Sequence, residues 1–551
     1  MPPAGDLETV ERRTLGRAGL VAVCLLALYM GATALTDDRY ASPHGDMPRY
    51  LMNGVYLMDL VRDRPFANVN TFVEYTRLYY ARYPALSLGH HPPLVSAAAV
   101  PMYAVFGISV RSGRFTVLVA FIIATLFLYR LTQAIYDPVV ALLAAAIFAT
   151  SPTIVQLGTA VSSEIPMVAL IIVSAWYLHR FCVNQRRADL ALFVVAATLS
   201  LYAKQLALFV FPAYLITAVM TLGLRRLLQR DVLIAVAVLF ILVLPLVPMT
   251  LALSPSNVRW AVLAFNEHQS SRWSVLSAAV RPQLIALVVV FAGAGALRAT
   301  LQRDRRAVLF LGWTAAVLIG LLTAGLLDPS RYSIAWIPAL SVLAASVAAG
   351  WRRSIAVVLV AIVLMAVGFQ IPLARRAVLK SVGDYEDAAR FVLASDPGPT
   401  VLFSGDIDTG FFTFFIRKHD ADRKLVVLRA DKLLTTSRMG LPSIEDRISD
   451  PAEIYDILRR FGTRYVVLED RPSVSAVLEW LRQEVRSRRF VERRRFAMDV
   501  SRSLSGYPVV VYEFLDRTPP DSDAVLSMRI PLVSQTVEVA LSDLVNRKYL
   551  R

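Results

Sequence analysis

The chain has 551 residues, of which 56% are hydrophobic, and a formal net charge of +16. This hydrophobic share is too high for one soluble globular protein, and the apolar runs end at about Leu373. Much of the positive charge lies in short connectors between those runs. Such charge typically marks the cytoplasmic side of a membrane protein, so it argues against a nucleic-acid partner. The sequence therefore predicts a polytopic α-helical membrane domain over 1–373 and a soluble α/β domain over 374–551.

Apolar runs that could form membrane helices dominate the first of these regions. In chain order they are 16–36, 93–107, 115–134, 138–151, 165–180, 188–203, 206–223, 231–253, 282–299, 307–326, 333–350 and 354–373. Arginine clusters mark the cytoplasmic ends of the runs, and connectors with few charges mark the outer ends. The alternation predicts about eleven crossings, with a cytoplasmic N-terminus and an extracytoplasmic C-terminal domain. One of the runs 93–107, 115–134 and 138–151 does not cross fully, and the sequence leaves open which.

The long polar connector 37–93 is the predicted large outer loop. Pro48 suits a first helical position, and apolar residues follow it at helical spacing, which predicts a short amphipathic helix along the membrane surface. Asp46 comes just before that helix, where free backbone N–H groups stabilise a carboxylate. A second helix rich in tyrosine is predicted over 72–83, and the motif GHHPP then opens the next apolar run.

The region after residue 373 has the pattern of a small α/β domain with a partly parallel sheet. Short β-branched runs lie at 400–404, 424–429, 464–469 and 508–514, and helical patterns lie at 385–395, 451–461 and 474–486. The stretch from Pro519 to Arg551 has no clear pattern.

Several short motifs follow one another in a characteristic order: GDMPRYLMNG, YYARYPALSLGHHPP, ATSP, SSEIP, YAKQLALFVFPAYL and DPSRYSIAWIPAL. Over about residues 15–373 the chain resembles the glycosyltransferase family 39 and aminoarabinose-transferase-like enzymes of the integral-membrane C-type superfamily. The resemblance implies an enzyme that moves a sugar from a polyprenyl-phosphate carrier to an acceptor at the outer face of the cytoplasmic (inner) membrane. It also implies an acid in the first outer loop, a second acid at the start of a later helix, and basic residues on the carrier phosphate.

Mapped onto this sequence, the resemblance makes Asp46 and Glu164 the acids and Lys204 and Arg331 the basic residues. The full predicted substrate-binding set is Lys204, Arg331, Tyr332, Arg49, Tyr50, His90 and His91. The chemistry agrees, because an acceptor hydroxyl needs a base and a leaving phosphate needs positive charge. We expect Asp46 to be that base, and a direct attack would invert the anomeric centre.

The identity of the base has alternatives. The related motif usually carries an acidic pair, whereas Met47 follows Asp46 here, so Asp37 or Asp38 could replace it. The Asp46 carboxylate could also serve only to stabilise the start of its own helix.

A divalent metal ion is the one cofactor considered, with Asp46, Glu164 and His90 as candidate ligands. The expected partners are the polyprenyl-phosphate sugar, the lipid bilayer and an acceptor that could be a lipid, a protein or a glycan. A transporter or flippase of a lipid-linked sugar is the alternative function. It is less favoured because the sequence has no internal repeat and because transport does not explain a long acidic outer loop.

Overall fold

The computed structural model describes most of the chain. The described residues are 4–36, 46–87, 91–253, 272–324, 329–349, 351, 353–377, 384–405, 409–437, 444–473, 475–497, 507–530 and 535–546. Three residues named above, Asp37, Asp38 and His90, lie outside them.

Among the described residues, seven helices are long and apolar enough to cross a membrane. They are Gly16–Leu35, Val110–Ile135, Glu164–Asn184, Gln205–Leu222, Arg230–Leu251, Arg305–Thr323 and Ser354–Ala377. A helix pair, Pro138–Thr150 and Pro152–Gly158, is bent by 63° and is either one broken span or a re-entrant segment. Leu94–Phe106 and Ala286–Leu301 are shorter apolar helices. The predicted helical membrane class is confirmed, while the count of eleven crossings stays a prediction.

The secondary-structure bounds of this part of the chain overlap several of these spans and add further helices. The remaining bounds are Ala4–Gly31, Ala32–Leu35, Met47–Asp63, Val69–Arg82, Arg187–Ala203, Gln205–Val210, Phe211–Leu222, Leu224–Leu227, Arg230–Val243, Leu246–Leu253, Arg272–Val280, Arg305–Ala307, Val308–Ala324, Pro329–Tyr332, Ile334–Trp336, Ile337–Ser346 and Arg353–Ala377. Of these, Ala32–Leu35, Gln205–Val210, Arg305–Ala307 and Ile334–Trp336 are 3-10 helices.

The bend at Ser151 follows from the local sequence. Pro152 has no N–H and cannot continue the preceding helix. Ser151 Oγ instead donates to the carbonyl of Gln283 at 2.8 Å, and Thr153 Oγ1 donates to the carbonyl of Pro282 at 3.0 Å. These two hydrogen bonds fix the bend to the segment 282–283. After the bend the chain continues toward Glu164.

After residue 384 the chain forms an α/β unit. Its strands are β1 (Thr400–Ser404), β2 (Val426–Arg429), β3 (Thr435–Ser437), β4 (Ile444–Asp446), β5 (Thr463–Glu469), β6 (Phe490–Phe496), β7 (Val509–Phe514), β8 (Val525–Ile530) and β9 (Gln535–Ala540). Its helices are Tyr385–Ala394, Thr409–His419, Ala430–Leu433, Glu453–Arg460, Ala476–Glu484 and Leu541–Val545. The main sheet has the order β2-β1-β5-β7-β6, in which β1 is parallel to β2 and β5 while β7 is antiparallel to β5 and β6.

All four predicted strands and all three predicted helices of this unit occur within a few residues of their expected bounds. The partly parallel sheet is also as predicted. The sequence missed β6, the helix Thr409–His419 and the hairpin of β8 and β9, which lies in the stretch where no pattern was found.

The helices of the connector 37–93 are longer and more enclosed than expected. We call Met47–Asp63 loop helix 1 and Val69–Arg82 loop helix 2. Loop helix 1 buries ten residues, and both helices share one hydrophobic core with the main sheet. The expected membrane-surface helix is therefore a helix packed mainly against protein. Its position follows from this core, which also encloses the loop tyrosines Tyr75, Tyr79 and Tyr83.

Candidate active site

Asp46 immediately precedes loop helix 1, yet its side chain makes no capping hydrogen bond to that helix. Oδ2 accepts a hydrogen bond from Nη2 of Arg331 at 2.7 Å. Oδ1 lies 3.5 Å from Arg49 Nη1 and 3.6 Å from His91 Nε2. The carboxylate is thus engaged by side chains, one of them 285 residues away, rather than by the start of its own helix.

Glu164 is the first residue of the helix Glu164–Asn184 and is completely buried. Its Oε1 atom accepts hydrogen bonds from both Lys204 Nζ and Arg331 Nε. Its Oε2 atom lies 3.5 Å from the Ser163 hydroxyl, which donates to it. One carboxylate oxygen therefore holds two cations side by side, which offsets the repulsion between them.

Lys204 lies where the helix Arg187–Ala203 ends, with an extended backbone before the next helical turn. This break turns the ammonium group toward Glu164, and Nζ also lies 4.9 Å from the centre of the Tyr332 ring. Arg331 belongs to the short helix Pro329–Tyr332 and contacts both carboxylates. We call these four charged groups (Asp46, Glu164, Lys204 and Arg331) the site cluster.

A hydrogen-bonded path connects the surroundings of the two carboxylates. The Tyr50 hydroxyl donates to Ser163 Oγ at 2.8 Å and lies 3.2 Å from His91 Nδ1. The rings of Tyr50 and His91 are 4.6 Å apart between centroids. Since Ser163 also donates to Glu164, the wall beside Asp46 is continuous with the wall beside Glu164. The sequence did not single out Ser163.

The charges around Asp46 fix its protonation state. Burial alone would raise the pKa of this carboxyl, but the adjacent His91 side chain and the positive charges of Arg331 and Arg49 outweigh burial and hold the pKa well below its usual range. Burial also lowers the pKa of His91, against the opposing effect of Asp46. Asp46 is therefore anionic at physiological pH, and a carboxylate stabilised this strongly is a weak base until the charge beside it changes.

The family model described as dolichyl-phosphate-mannose-protein mannosyltransferase matches residues 90–249. The crystal structure of ArnT from Cupriavidus metallidurans bound to undecaprenyl phosphate is similar to this chain with a TM-score of 0.57 and 14% identity, over 91% of this chain and 99% of that one. The resemblance to the C-type membrane glycosyltransferases is confirmed.

Other solved structures give the same result. ArnT from Cupriavidus metallidurans in the apo state has a TM-score of 0.56 and 14% identity over 91% of this chain and 99% of that chain. The oligosaccharyltransferase of Archaeoglobus fulgidus, crystallised with Zn and sulfate, has a TM-score of 0.50 and 14% identity over 82% of this chain and 68% of that one. No curated protein matches the sequence significantly. At these identities the likeness establishes an ArnT-like fold, which includes both the membrane helices and the α/β unit.

Within this ArnT-like fold, Gln283 contacts the turn of Arg331, and the sequence did not reveal this contact. It is completely buried, and its Nε2 atom donates to the Ser330 carbonyl at 2.5 Å and to Ser333 Oγ at 2.8 Å. Its Oε1 atom accepts from Trp336 Nε1 at 2.6 Å. Gln283 thus holds the turn that carries Arg331. A single glutamine in an apolar run carries no sequence signal for such a role.

Of the candidate metal ligands, the structure describes Asp46 and Glu164, whereas His90 lies outside the described residues. Among the described residues, no group of three or more His, Cys, Asp or Glu side chains could hold a metal ion. Asp46 and Glu164 are instead joined by Arg331, whose guanidinium supplies the positive charge that a metal would bring.

The structure brings together most of the predicted substrate-binding residues. Those within or beside the site cluster are Asp46, Glu164, Lys204, Arg331, Tyr332, Arg49, Tyr50 and His91. His90 lies outside the described residues, as do the alternative bases Asp37 and Asp38. The catalytic and binding roles of these residues stay predictions.

Proposed function

We propose that this chain is a membrane glycosyltransferase that moves a sugar from a polyprenyl-phosphate donor to an acceptor at the outer face of the cytoplasmic membrane. The proposal depends above all on one observation, the contact of Arg331 with both Asp46 and Glu164 beside Lys204. Four charged side chains from four separate segments converge there, which a purely structural helix bundle does not require. The likeness to ArnT bound to undecaprenyl phosphate supports the choice of carrier.

Lys204 and Arg331 bind the carrier phosphate and stabilise the charge that develops on it as the sugar leaves. Glu164 keeps the two cations adjacent, because they share its Oε1 atom. It is a positioning residue in this scheme and does not itself move a proton. Tyr332 lies against the Lys204 ammonium group and limits its orientations.

Asp46 acts as the general base on the acceptor. The acceptor oxygen forms a bond to the anomeric carbon while its proton passes to the Asp46 carboxylate. The bond between the anomeric carbon and the phosphate oxygen breaks, and its electron pair stays on the polyprenyl phosphate. Because the attack is direct, the configuration at the anomeric carbon is inverted.

Donor binding activates this base. In the free protein the positive charge of Arg331 holds Asp46 in a weakly basic state. A bound phosphate shares that positive charge and adds negative charge nearby, and both effects raise the carboxylate pKa. Asp46 thereby becomes a competent base only when the donor is in position, which limits unproductive reaction.

The proposed topology is that of the sequence analysis. We propose about eleven crossings, a cytoplasmic N-terminus and an extracytoplasmic domain over 374–551 that helps to hold the acceptor. The membrane domain is 1–373, and its outer loop 37–93 carries the base. The acceptor class (lipid, protein or glycan) and the transferred sugar (hexose or pentose) are chosen on that side.

Substitution of Asp46 by Asn tests the proposal. The purified protein in lipid is incubated with a panel of radiolabelled polyprenyl-phosphate sugars and candidate acceptors, with and without EDTA. We expect transfer by the wild type in both conditions and a loss of about 10²- to 10⁴-fold in Asp46→Asn, the usual contribution of a general base. Undecaprenyl phosphate should still bind to the variant.

Glu74→Gln provides the matched control, since Glu74 lies in the same loop and pairs with nearby Arg77. This control should transfer normally. A flippase would move labelled lipid between leaflets at the same rate in both variants and would form no product. That result would exclude the transferase.

A further inference from the structure

A second buried charge cluster lies at the other end of loop helix 1. Asp59 accepts two hydrogen bonds from the Arg417 guanidinium, at 2.6 and 2.9 Å. Asp63 accepts two from the Arg423 guanidinium, at 2.5 and 2.9 Å. None of these four side chains is more than 3% exposed. We call them the docking cluster, because both arginines belong to the α/β unit and both carboxylates belong to the outer loop.

Tyrosines of loop helix 2 complete the coordination of both carboxylates. The Tyr79 hydroxyl donates to Asp59 Oδ2 at 2.7 Å, and the Tyr75 hydroxyl donates to Asp63 Oδ2 at 2.8 Å. Each carboxylate therefore accepts three hydrogen bonds from two partners, one arginine and one tyrosine. Bidentate arginine pairs fix both distance and orientation, so the docking cluster restrains the rotation of loop helix 1 as well as its position.

The α/β unit also contacts the loop at further points. Arg429 Nη1 and Lys432 Nζ donate to the Pro84 carbonyl at 3.1 and 2.9 Å. A Cβ at Gly410 would come within 2.8 Å of Pro48 Cβ, so the backbone there approaches the start of loop helix 1 very closely. Arg429 is the last residue of β2 and Gly410 follows the end of β1, so both lie at the carboxyl edge of the parallel strands, where such sheets usually bind ligands. Here that edge is occupied by the outer loop.

We propose that the docking cluster is a positioning device for transfer, and that Arg417 and Arg423 set the place of Asp46 from a distance. This inference rests on the proposed function. Asp59 lies thirteen residues after Asp46, or about 20 Å along the helix, so the docking cluster does not touch the donor. Loop helix 1 is a single continuous helix between them, and it transmits any shift at one end to the other. The α/β unit then contributes to catalysis through alignment, in addition to any contact with the acceptor.

The test uses Arg417→Met and Arg417→Lys in the full-length protein. A shift of about 1 Å in a reacting group costs on the order of 10²-fold in rate. We expect kcat to fall about 10- to 100-fold in Arg417→Met, with the KM for the donor nearly unchanged because the donor is held by Lys204 and Arg331. Arg417→Lys should be intermediate, since it restores the charge without the bidentate geometry.

Amide hydrogen exchange provides a readout independent of activity. We expect faster exchange in loop helix 1 of Arg417→Met and unchanged exchange in β1 and β5. Arg390→Met is the control, because Arg390 lies on the same unit and its exposed side chain pairs with Glu386 and His419 and not with the docking cluster. Tyr79→Phe, which removes one hydrogen bond and keeps both ion pairs, gives a milder variant if Arg417→Met does not fold, with a loss of about fivefold in kcat.

Two results separate this inference from the proposed function. If the wild type transfers no sugar, the proposed function fails. If the wild type transfers sugar and Arg417→Met or Tyr79→Phe does so with an unchanged kcat, the docking cluster has no positioning role and the inference is overturned. An equal rise in exchange throughout the α/β unit would also overturn it, because that pattern indicates general loss of structure.

Discussion

Loop helix 1 has a buried cluster of four charges at each end, and the two clusters are built differently. In the docking cluster each carboxylate has its own bidentate arginine and a tyrosine hydroxyl. In the site cluster Lys204 and Arg331 share one oxygen of Glu164, and the side chains are up to 17% exposed. The first arrangement gives each arginine a carboxylate of its own and holds structure. The second leaves charge to be shared with a ligand.

This difference has a physical basis. Burial of a charge is costly unless the charge is fully paired, and removal of one partner leaves the other uncompensated. In a cluster where each cation already has its own carboxylate, an added anion therefore does not increase stability. A cluster with shared partners has cations that an incoming phosphate can engage, so its stability should respond to the ligand.

The largest expected effect is that of Glu164→Gln. Removal of the buried carboxylate charge takes the Glu164 partner from Lys204 and leaves Arg331 paired with Asp46 beside it, and we expect the free energy of unfolding to fall by about 3–5 kcal/mol. Added undecaprenyl phosphate should restore part of the Tm, because its phosphate replaces the missing negative charge. Differential scanning fluorimetry in detergent with and without the lipid measures both effects.

Asp63→Asn is the counterpart in the docking cluster. It should also lower the Tm, and undecaprenyl phosphate should add no more to it than to the wild type. Equal rescue of both variants would mean that the two clusters do not differ in ligand response.

The next effect in size is that of Lys204→Met, which removes one of two cations from the proposed phosphate site while Arg331 still pairs with Glu164. We expect the KM for the donor to rise by about 10- to 100-fold, the value of one or two lost charge-assisted hydrogen bonds. Steady-state kinetics over a donor titration gives this value. Arg225→Met, an exposed arginine outside the site cluster, is the control. An unchanged KM would remove Lys204 from the donor site.

A smaller effect is expected from Gln283→Leu, which keeps the side-chain size and removes the bonds that hold the Arg331 turn. We expect kcat/KM to fall by about tenfold, since loss of a buried hydrogen bond costs about 1–3 kcal/mol and part of this loss reaches the site. Gln302→Leu, at an exposed helix end, should have no effect. Loss of the same activity in both variants would contradict a specific role of Gln283.

The smallest effect concerns pH. The Asp46 pKa is depressed in the free protein, so the basic form persists as the pH falls, and kcat/KM should show no acid limb from this group above about pH 4. Donor binding raises that pKa in our mechanism. The acid limb of kcat should therefore lie at higher pH than that of kcat/KM. Coincident limbs in the two pH profiles would argue against activation of the base by the donor.

Much of the fold could be predicted because it depends on local patterns. Apolar runs predicted the membrane helices, and β-branched runs predicted β1, β2, β5 and β7. Strand β6 was missed because its sequence FVERRRF is mostly exposed and its arginines pair with acids on neighbouring elements. The hairpin of β8 and β9 was missed because its alternation is short and lies in a polar context.

The site was predictable only in part, for a related reason. Asp46, Glu164, Lys204 and Arg331 were selected through the order of short motifs that resemble a known family. Residues that act through burial, such as Gln283, have no signature of their own. The docking cluster was missed because each arginine is more than 350 residues from its carboxylate in sequence. No local sequence pattern predicts a pairing over that separation.

That sequence separation has a consequence for biosynthesis. Arg82, at the end of loop helix 2, donates buried hydrogen bonds to the backbone carbonyls of Arg423 and Leu544. These bonds cannot form until both residues have been synthesised. At about 5–20 residues per second, the ribosome reaches Arg423 roughly 20–70 s after Arg82. During that interval a growing chain exposes tyrosines and unpaired acids, so a chaperone or the translocation machinery has a defined period in which to shield them.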